Sequence, residues 1–256
     1  MMNSLQALEI GGGKVQQSAR ESWELRLPAG CQRYADAQLD DHHLLTRRHF
    51  RWAPPVSLSV QARVSTLPSE GTFGFGFWND PFSLSLGLSG AARKLPASPR
   101  ACWFFYGAPP HDLALTRHVS GHGWKAQCLK GPRLPGVVLL PAAASALALT
   151  RVPILRKPLV RIGLGMLSVE ECELMFSPLE WHTYRIEWRR KGIRFMVDDD
   201  VILQSVFSLK GPLGFIAWID NQYAVVSPQK GIRFGIRPTR TDTTLLLRKL
   251  TLQTST

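Results

Sequence analysis

The stretch that most constrains the fold is Glu180-Trp181-His182-Thr183-Tyr184-Arg185-Ile186-Glu187-Trp188, continued by Ile193-Arg194-Phe195-Met196-Val197-Asp198-Asp199-Asp200-Val201. Apolar and polar residues alternate through it with a period of two, the spacing at which a strand turns one face to a core and the other to water. Turn-forming residues at 189–192 and 198–200 interrupt the alternation, so three short strands in an antiparallel meander are expected. A further block, Gly211-Pro212-Leu213-Gly214-Phe215-Ile216-Ala217-Trp218-Ile219-Asp220-Asn221, supplies another strand that ends in polar groups and an indole.

The N-terminal half carries the same signal. Ser22 to Leu27 alternates and stops at Pro28-Ala29-Gly30; residues 34–41 and 49–52 are weaker strand candidates. Val56 to Val64 gives nine residues of near-perfect alternation and one buried face. In Thr72-Phe73-Gly74-Phe75-Gly76-Phe77-Trp78-Asn79-Asp80, the three phenylalanines point one way, into an aromatic layer. Gly74, Gly76 and Trp78 point the other way. Glycine weakens a strand and marks the close approach of a ligand or of another backbone, so this second face is expected to be hollow and walled by an indole. Residues 101–107, with Trp103-Phe104-Phe105-Tyr106, read as a buried strand ended by Pro109-Pro110.

Together these blocks resemble the W-H-x-Y-x-x-x-W and I-x-F-x-V-D-G segment of the concanavalin A-like lectin/glucanase superfamily, particularly family-16 glycoside hydrolases, over residues 56–106 and 180–253. The resemblance implies an all-β fold, an antiparallel β-sandwich jelly roll with a concave sheet. Active family-16 members carry an E-x-D-x-E or E-x-D-x-x-E strand whose alternation sets nucleophile, helper and general acid/base on one face. The strand in that place here, Arg100-Ala101-Cys102-Trp103-Phe104-Phe105-Tyr106, has no carboxylate. Glu171 and Glu173 are the alternative pair and would share a face if extended. Their flanks read as helical, and a solvated helix end is expected there. Asp198-Asp199-Asp200 replaces the family's usual Asp-Gly turn, and no catalysis is assigned to it.

At 256 residues the chain is expected to form one sandwich domain over 21–256, after a flexible lead-in at 1–20 and with a helical insertion at 134–175. In that insertion an apolar run from Val137 to Leu149 is broken by Pro141, and Leu159, Ile162, Met166 and Val169 recur at helical spacing. It is too short and too often broken to span a bilayer. A lid packed over a sheet is expected, with a seat on a membrane surface as the alternative.

Lys and Arg number 31 against 19 Asp and Glu, a formal +12 with pI near 10.1, which favours acidic partners without choosing among nucleic acid, anionic membrane and acidic polysaccharide. Arg47, Arg48 and Arg51, and Arg185, Arg189, Arg190, Lys191 and Arg194, are expected to be solvated faces. Cys31, Cys102, Cys128 and Cys172 form no Cys-x-x-Cys pair and read as reduced thiols. The first residues lack the apolar core of a signal peptide, so a cytoplasmic protein is expected. His42, His43 and His49 lie near Asp36, Asp40 and Asp41 without metal-site spacing; no metal and no cofactor are expected.

What remains is a binding face. Trp78, Asn79 and Asp80 come from one strand, and Trp218, Asp220, Asn221, Gln222 and Tyr223 from another. Trp103 and Tyr106 lie between, their facing open. Aromatic rings beside amides and carboxylates suit sugars, whose C–H faces stack on indoles, and also flat apolar metabolites. The expectation is a non-hydrolytic binding protein whose ligand is a glycan or other small molecule. Two alternatives stay open: an enzyme with relocated acids or other chemistry on a sugar or hydrophobic metabolite, and a basic interaction module for nucleic acid or membrane.

Overall fold

β5 runs Val56–Val64 and buries every second side chain, Val56, Leu58, Val60, Ala62 and Val64. The computed structural model describes residues 5–81, 97–116, 118–132 and 152–254. In it β5 pairs with β11 (His182–Trp188) on one edge and β17 (Thr243–Thr254) on the other. β11 turns into β12 (Ile193–Val197) and β13 (Asp200–Ser205), the meander expected from the sequence. Asp198 and Asp199 close its second turn at φ 48° and 73°, a left-handed conformation that Asp tolerates better than most residues. Beyond β17 lie β3 (Ser22–Leu27) and β2 (Lys14–Ala19), completing a seven-stranded antiparallel sheet.

The second seven-stranded sheet begins at β1 (Gln6–Ile10), β4 (Asp36–Asp40) and β14 (Gly214–Asp220). It continues through β6 (Thr72–Trp78), β7 (Arg100–Gly107), β9 (Gly123–Lys130) and β10 (Ser168–Glu173). The two sheets face each other as the expected sandwich. Their inner faces meet through rings: Phe75 against Tyr184 at 5.2 Å, Phe77 against Trp188 at 5.7 Å, and Phe104 against Phe195 at 5.5 Å between centroids. Aromatic pairs at these separations add about 0.5–1.5 kcal/mol each beyond the area they bury. A third, small sheet sets β15 (Gln222–Ser227) between β16 (Gly231–Ile236) and β8 (Asp112–Leu113).

Two expectations are corrected, and the expected helix is located. Residues 6–10 and 14–19, expected in a flexible lead-in, are β1 and β2, paired with β4 and β3. The insertion at 134–175 is helical only in α1 (Pro153–Gly165) among the described residues; residues 133–151 lie outside them. Its last part is β10, hydrogen-bonded along β9, so Glu171 and Glu173 sit on a strand and not at a helix end. Ladder hydrogen bonds to β9 outweigh the weak local preference of a Val-Glu-Glu-Cys-Glu segment. α1 itself packs beside β16.

The link from β14 into β15 is closed by Asn221. Its Oδ1 accepts from the Ala35 amide, and its Nδ2 donates to the Arg33 and Arg237 carbonyls, tying three loops at one buried point. Replacing it by alanine strands these backbone groups in a dry site, at about 1–3 kcal/mol for each group left unpaired. Asn221→Ala is therefore expected to lower unfolding stability by at least about 2 kcal/mol, read as a fall in the urea midpoint at unchanged slope.

Candidate functional site

Strand parity divides the second sheet as the sequence implied. Phe73, Phe75 and Phe77 enter the sandwich core, and Thr72, Gly74, Gly76 and Trp78 line the outer face. On the neighbouring strands the outer positions are Ile216, Trp218 and Asp220 of β14, Ala101, Trp103 and Phe105 of β7, and Lys125 and Gln127 of β9. The two glycines do not leave this face hollow. A Cβ on Gly74 would sit 2.7 Å from Cη2 of Trp218 and strike the Phe104 carbonyl; one on Gly76 would sit 2.6 Å from Cβ of Trp103. The missing side chain of Gly74 lets the Trp218 indole lie on the backbone of β6, and that of Gly76 lets the β7 backbone at Trp103 approach closely.

A row of rings results. Trp78 and Trp103 lie 5.9 Å apart, Trp103 and Trp218 5.3 Å, and Trp103 and Phe105 5.8 Å. Trp218 is 7 % exposed, its Nε1 donating to Thr72 Oγ1, so it is the floor of the row. Trp78 and Trp103 stand half-buried above it.

Both upper indoles are held by their N–H groups. Trp78 Nε1 donates 2.9 Å to Nε2 of His42. An imidazole that accepts there carries its proton on Nδ1, which lies 3.0 Å from the Phe215 carbonyl. The loop carrying His42 is fixed by Asp40, which accepts from the backbone of His42 and His43, from His43 Nδ1 and from Gln38. Burial alone would push the Asp40 carboxyl up. The His43 hydrogen bond, the two imidazoles and Gln38 outweigh it and hold the carboxyl well below the usual carboxylate range.

On the other flank Trp103 Nε1 donates 2.9 Å to Gln127 Oε1, and Gln127 Nε2 donates 2.8 Å to Glu171. Glu171 also accepts from Thr116 and makes a fully buried ion pair with Lys125 at 3.3 Å. A desolvated pair like this persists only where further hydrogen bonds complete it. Glu173 lies on the same face, as alternation requires, but is exposed at the sheet edge.

A second pair of carboxyls occupies the same face. Asp36 of β4 and Asp220 of β14 are register partners, both buried. Burial pushes Asp220 up to about 7, while Thr72 and Gln222 hydrogen bonds pull it back. Burial, then repulsion from Asp220, pushes Asp36 well above the usual range, and its Oδ1 finds no partner among the described residues. At the far end of β7 the ring of His111 covers Gly107 and packs on Phe105 at 5.0 Å. Burial, then Lys125, pushes His111 down to about 3, so it is neutral, and its Nδ1 accepts from Ala224 of β15.

The remaining sequence candidates are dispersed. Asn79 braces its own turn, donating to the Ser98 carbonyl and accepting from the Arg100 amide. Asp80 sits at φ 46° with its carbonyl taken by Arg47. Tyr106 faces the sandwich core, stacked on Phe73 at 4.8 Å. Gln222 and Tyr223 belong to the small sheet, Tyr223 under Arg237. Lys125 and Gln127 were missed, although Gly-Trp-Lys-Ala-Gln-Cys-Leu-Lys alternates clearly enough to put both on one face. Asp-Ala-Gln-Leu-Asp of β4 does the same for Asp36 and Gln38.

No protein-family model and no curated protein matches the sequence. Solved structures do match the fold. A glycoside hydrolase family protein from Mycobacterium thermorestibile superposes with TM-score 0.50 at 11% identity, covering 93% of this chain and 79% of its own. A pseudo-β-1,3-glucanase of Mycobacterium tuberculosis gives 0.50 at 10%, covering 95% and 79%. A Bacteroides ovatus mixed-linkage glucan GH16, in complex with a G4G4G3G product, gives 0.50 at 7%, covering 94% and 85%. The fold is concanavalin A-like. Within it the chain resembles family-16 glycoside hydrolases, but the outward positions of β7, where an acid strand would display its carboxylates, are Ala101, Trp103 and Phe105. Among the described residues no helix of this concanavalin A-like chain is long and apolar enough to cross a membrane.

The Asp36–Asp220 pair carries a measurable signature. Both carboxyls hold a proton more tightly folded than unfolded, so their contribution to stability is complete below about pH 4 and falls as pH rises, that of Asp220 being lost through about pH 7. Asp36→Asn, which keeps the shape and removes the charge, is expected to gain melting temperature relative to wild type as pH rises across that window. Parallel melting profiles from pH 4 to 8 would show that the pair is not coupled.

Proposed function

We propose that the protein binds carbohydrate on the outer face of β14, β6 and β7 and does not hydrolyse it. The observation that carries this reading is the Trp78–Trp103 pair, half-buried and tilted 40° to each other, with both indole N–H groups already bonded. What such rings still offer a ligand is their faces, and the C–H face of a pyranose stacks on an indole face. Their hydrogen bonds to His42 and Gln127 fix the rings before a ligand arrives, which lowers the ordering cost of binding. Gln38, half-buried and two strands away on the same face, is placed as a polar partner for hydroxyls. The fold neighbours include a glucan-bound GH16, which accords with a carbohydrate ligand.

Hydrolysis by a retaining route needs two carboxyl groups about 5–5.5 Å apart with access to the bond being cut. The β7 strand supplies none. Glu171 is engaged by Lys125, Gln127 and Thr116 and so has no lone pair directed at a substrate. Asp36 and Asp220 lie under the surface at the Trp218 end of the face.

Calorimetric titration of soluble β-glucan oligosaccharides tests the platform. Trp78→Ala and Trp103→Ala are each expected to weaken binding by about 1–3 kcal/mol with little change in melting temperature. Trp218→Ala, removing the floor, is expected instead to cost about 3–5 kcal/mol of stability. Binding indifferent to both upper indoles would defeat the proposal. Incubation with laminarin, lichenan, agarose and carrageenan is expected to release no reducing ends. Turnover abolished by Asp36→Asn, Asp220→Asn or Glu171→Gln would make the protein an enzyme.

A further inference from the structure

α1 is amphipathic in the reverse sense for a surface helix. Val160 is the residue it buries, with Arg156 and Leu164 at helical spacing on either side. The outward arc, 154, 158 and 162 at i, i+4 spacing, is Ile, Pro and Ile, continued by Leu155 and by Met166 just past the helix. Ile154 is 82 % exposed, Ile162 62 % and Met166 48 %. A helix stabilised by packing on its own domain normally turns such a stripe inward. β16, beside which the helix lies, adds Phe234 at 64 % exposure, with the exposed Arg233 next to it.

The charges that α1 itself carries are of one sign. Lys157 and Arg161 project on the arc's flank, one helical turn apart. No acidic residue occurs anywhere in the sequence between Asp112 and Glu170, whereas the chain as a whole carries 19. An exposed apolar stripe flanked by lysine and arginine complements a surface that is apolar below and anionic above. We propose that α1 and the adjoining edge of β16 seat the protein on an anionic lipid surface, with Ile154, Leu155, Ile162 and Phe234 entering the acyl boundary and Lys157 and Arg161 meeting the headgroup phosphates. At 13 residues the helix lies in the interface and does not span it. A second copy of the chain is a poorer occupant. A two-fold contact would bring these cations against their own images.

Flotation of the full chain with phosphatidylcholine vesicles, with and without phosphatidylserine, reads the proposal directly. The wild type is expected to float with the phosphatidylserine vesicles and to be released by salt. Lys157→Gln and Arg161→Gln are each expected to weaken partitioning about fivefold, and the Ile154→Ser/Ile162→Ser pair more than about tenfold. Because these side chains face solvent, the variants are expected to melt with the wild type. Failure of the wild type to float with anionic vesicles, or flotation unaffected by the isoleucine pair, would overturn the proposal. So would concentration-dependent dimerisation without lipid that the same pair abolishes, since the face would then be a self-association surface.

Discussion

The alternation of phenylalanine and glycine along β6 is the constraint on which both faces of the second sheet depend. Inward, Phe75 and Phe77 engage Tyr184 and Trp188 of the opposite sheet and lock the sandwich. Outward, Gly74 leaves room for the Trp218 ring to lie on the strand itself, and Gly76 for the β7 backbone at Trp103 to come close. A strand with two interior glycines is weak alone. Here it is paired on both edges, by β14 and β7, and roofed by indoles, so lost local preference is offset by long-range packing.

Buried charge on either side then sets the orientation of the two half-buried rings. On one flank Asp40 organises the loop that presents His42, and His42 holds Trp78. On the other, the Lys125–Glu171 pair fixes Gln127, and Gln127 holds Trp103. Ion pairs taken out of water contribute little net stability, and their value lies in defining one arrangement of neighbouring groups. The Asp36–Asp220 pair is different. Among the described residues no basic side chain pairs with it and Oδ1 of Asp36 is unmatched, and burial raises both carboxyls.

Much of the fold was legible because strand alternation is local. β5, the β11–β13 meander and the parity of β6 follow from residues two apart. β1, β2 and β10 were not legible, for one reason: each has a largely exposed or mixed pattern and is stabilised by its partner strand, so its own residues carry little signal. The indoles of the site were legible as types. The supports were not, since the Gln127–Glu171 contact spans 44 residues and the Trp78–His42 contact spans 36. Asn79 and Asn221 looked like the polar edge of a groove, but a buried amide beside turns most readily serves the backbone groups those turns leave open.

By itself the sequence determined which residues share a face of a strand, that β7 displays rings where an acid strand would display carboxylates, and that basic residues run without acids from Asp112 to Glu170. These are properties of neighbouring positions along one chain. The tertiary structure alone decided that Trp218 is floor while Trp78 and Trp103 stand above it, that Glu171 is engaged by Lys125, and that the apolar arc of α1 faces outward. Each depends on what another segment places opposite, and a two-residue period carries no information about which strand lies next to it.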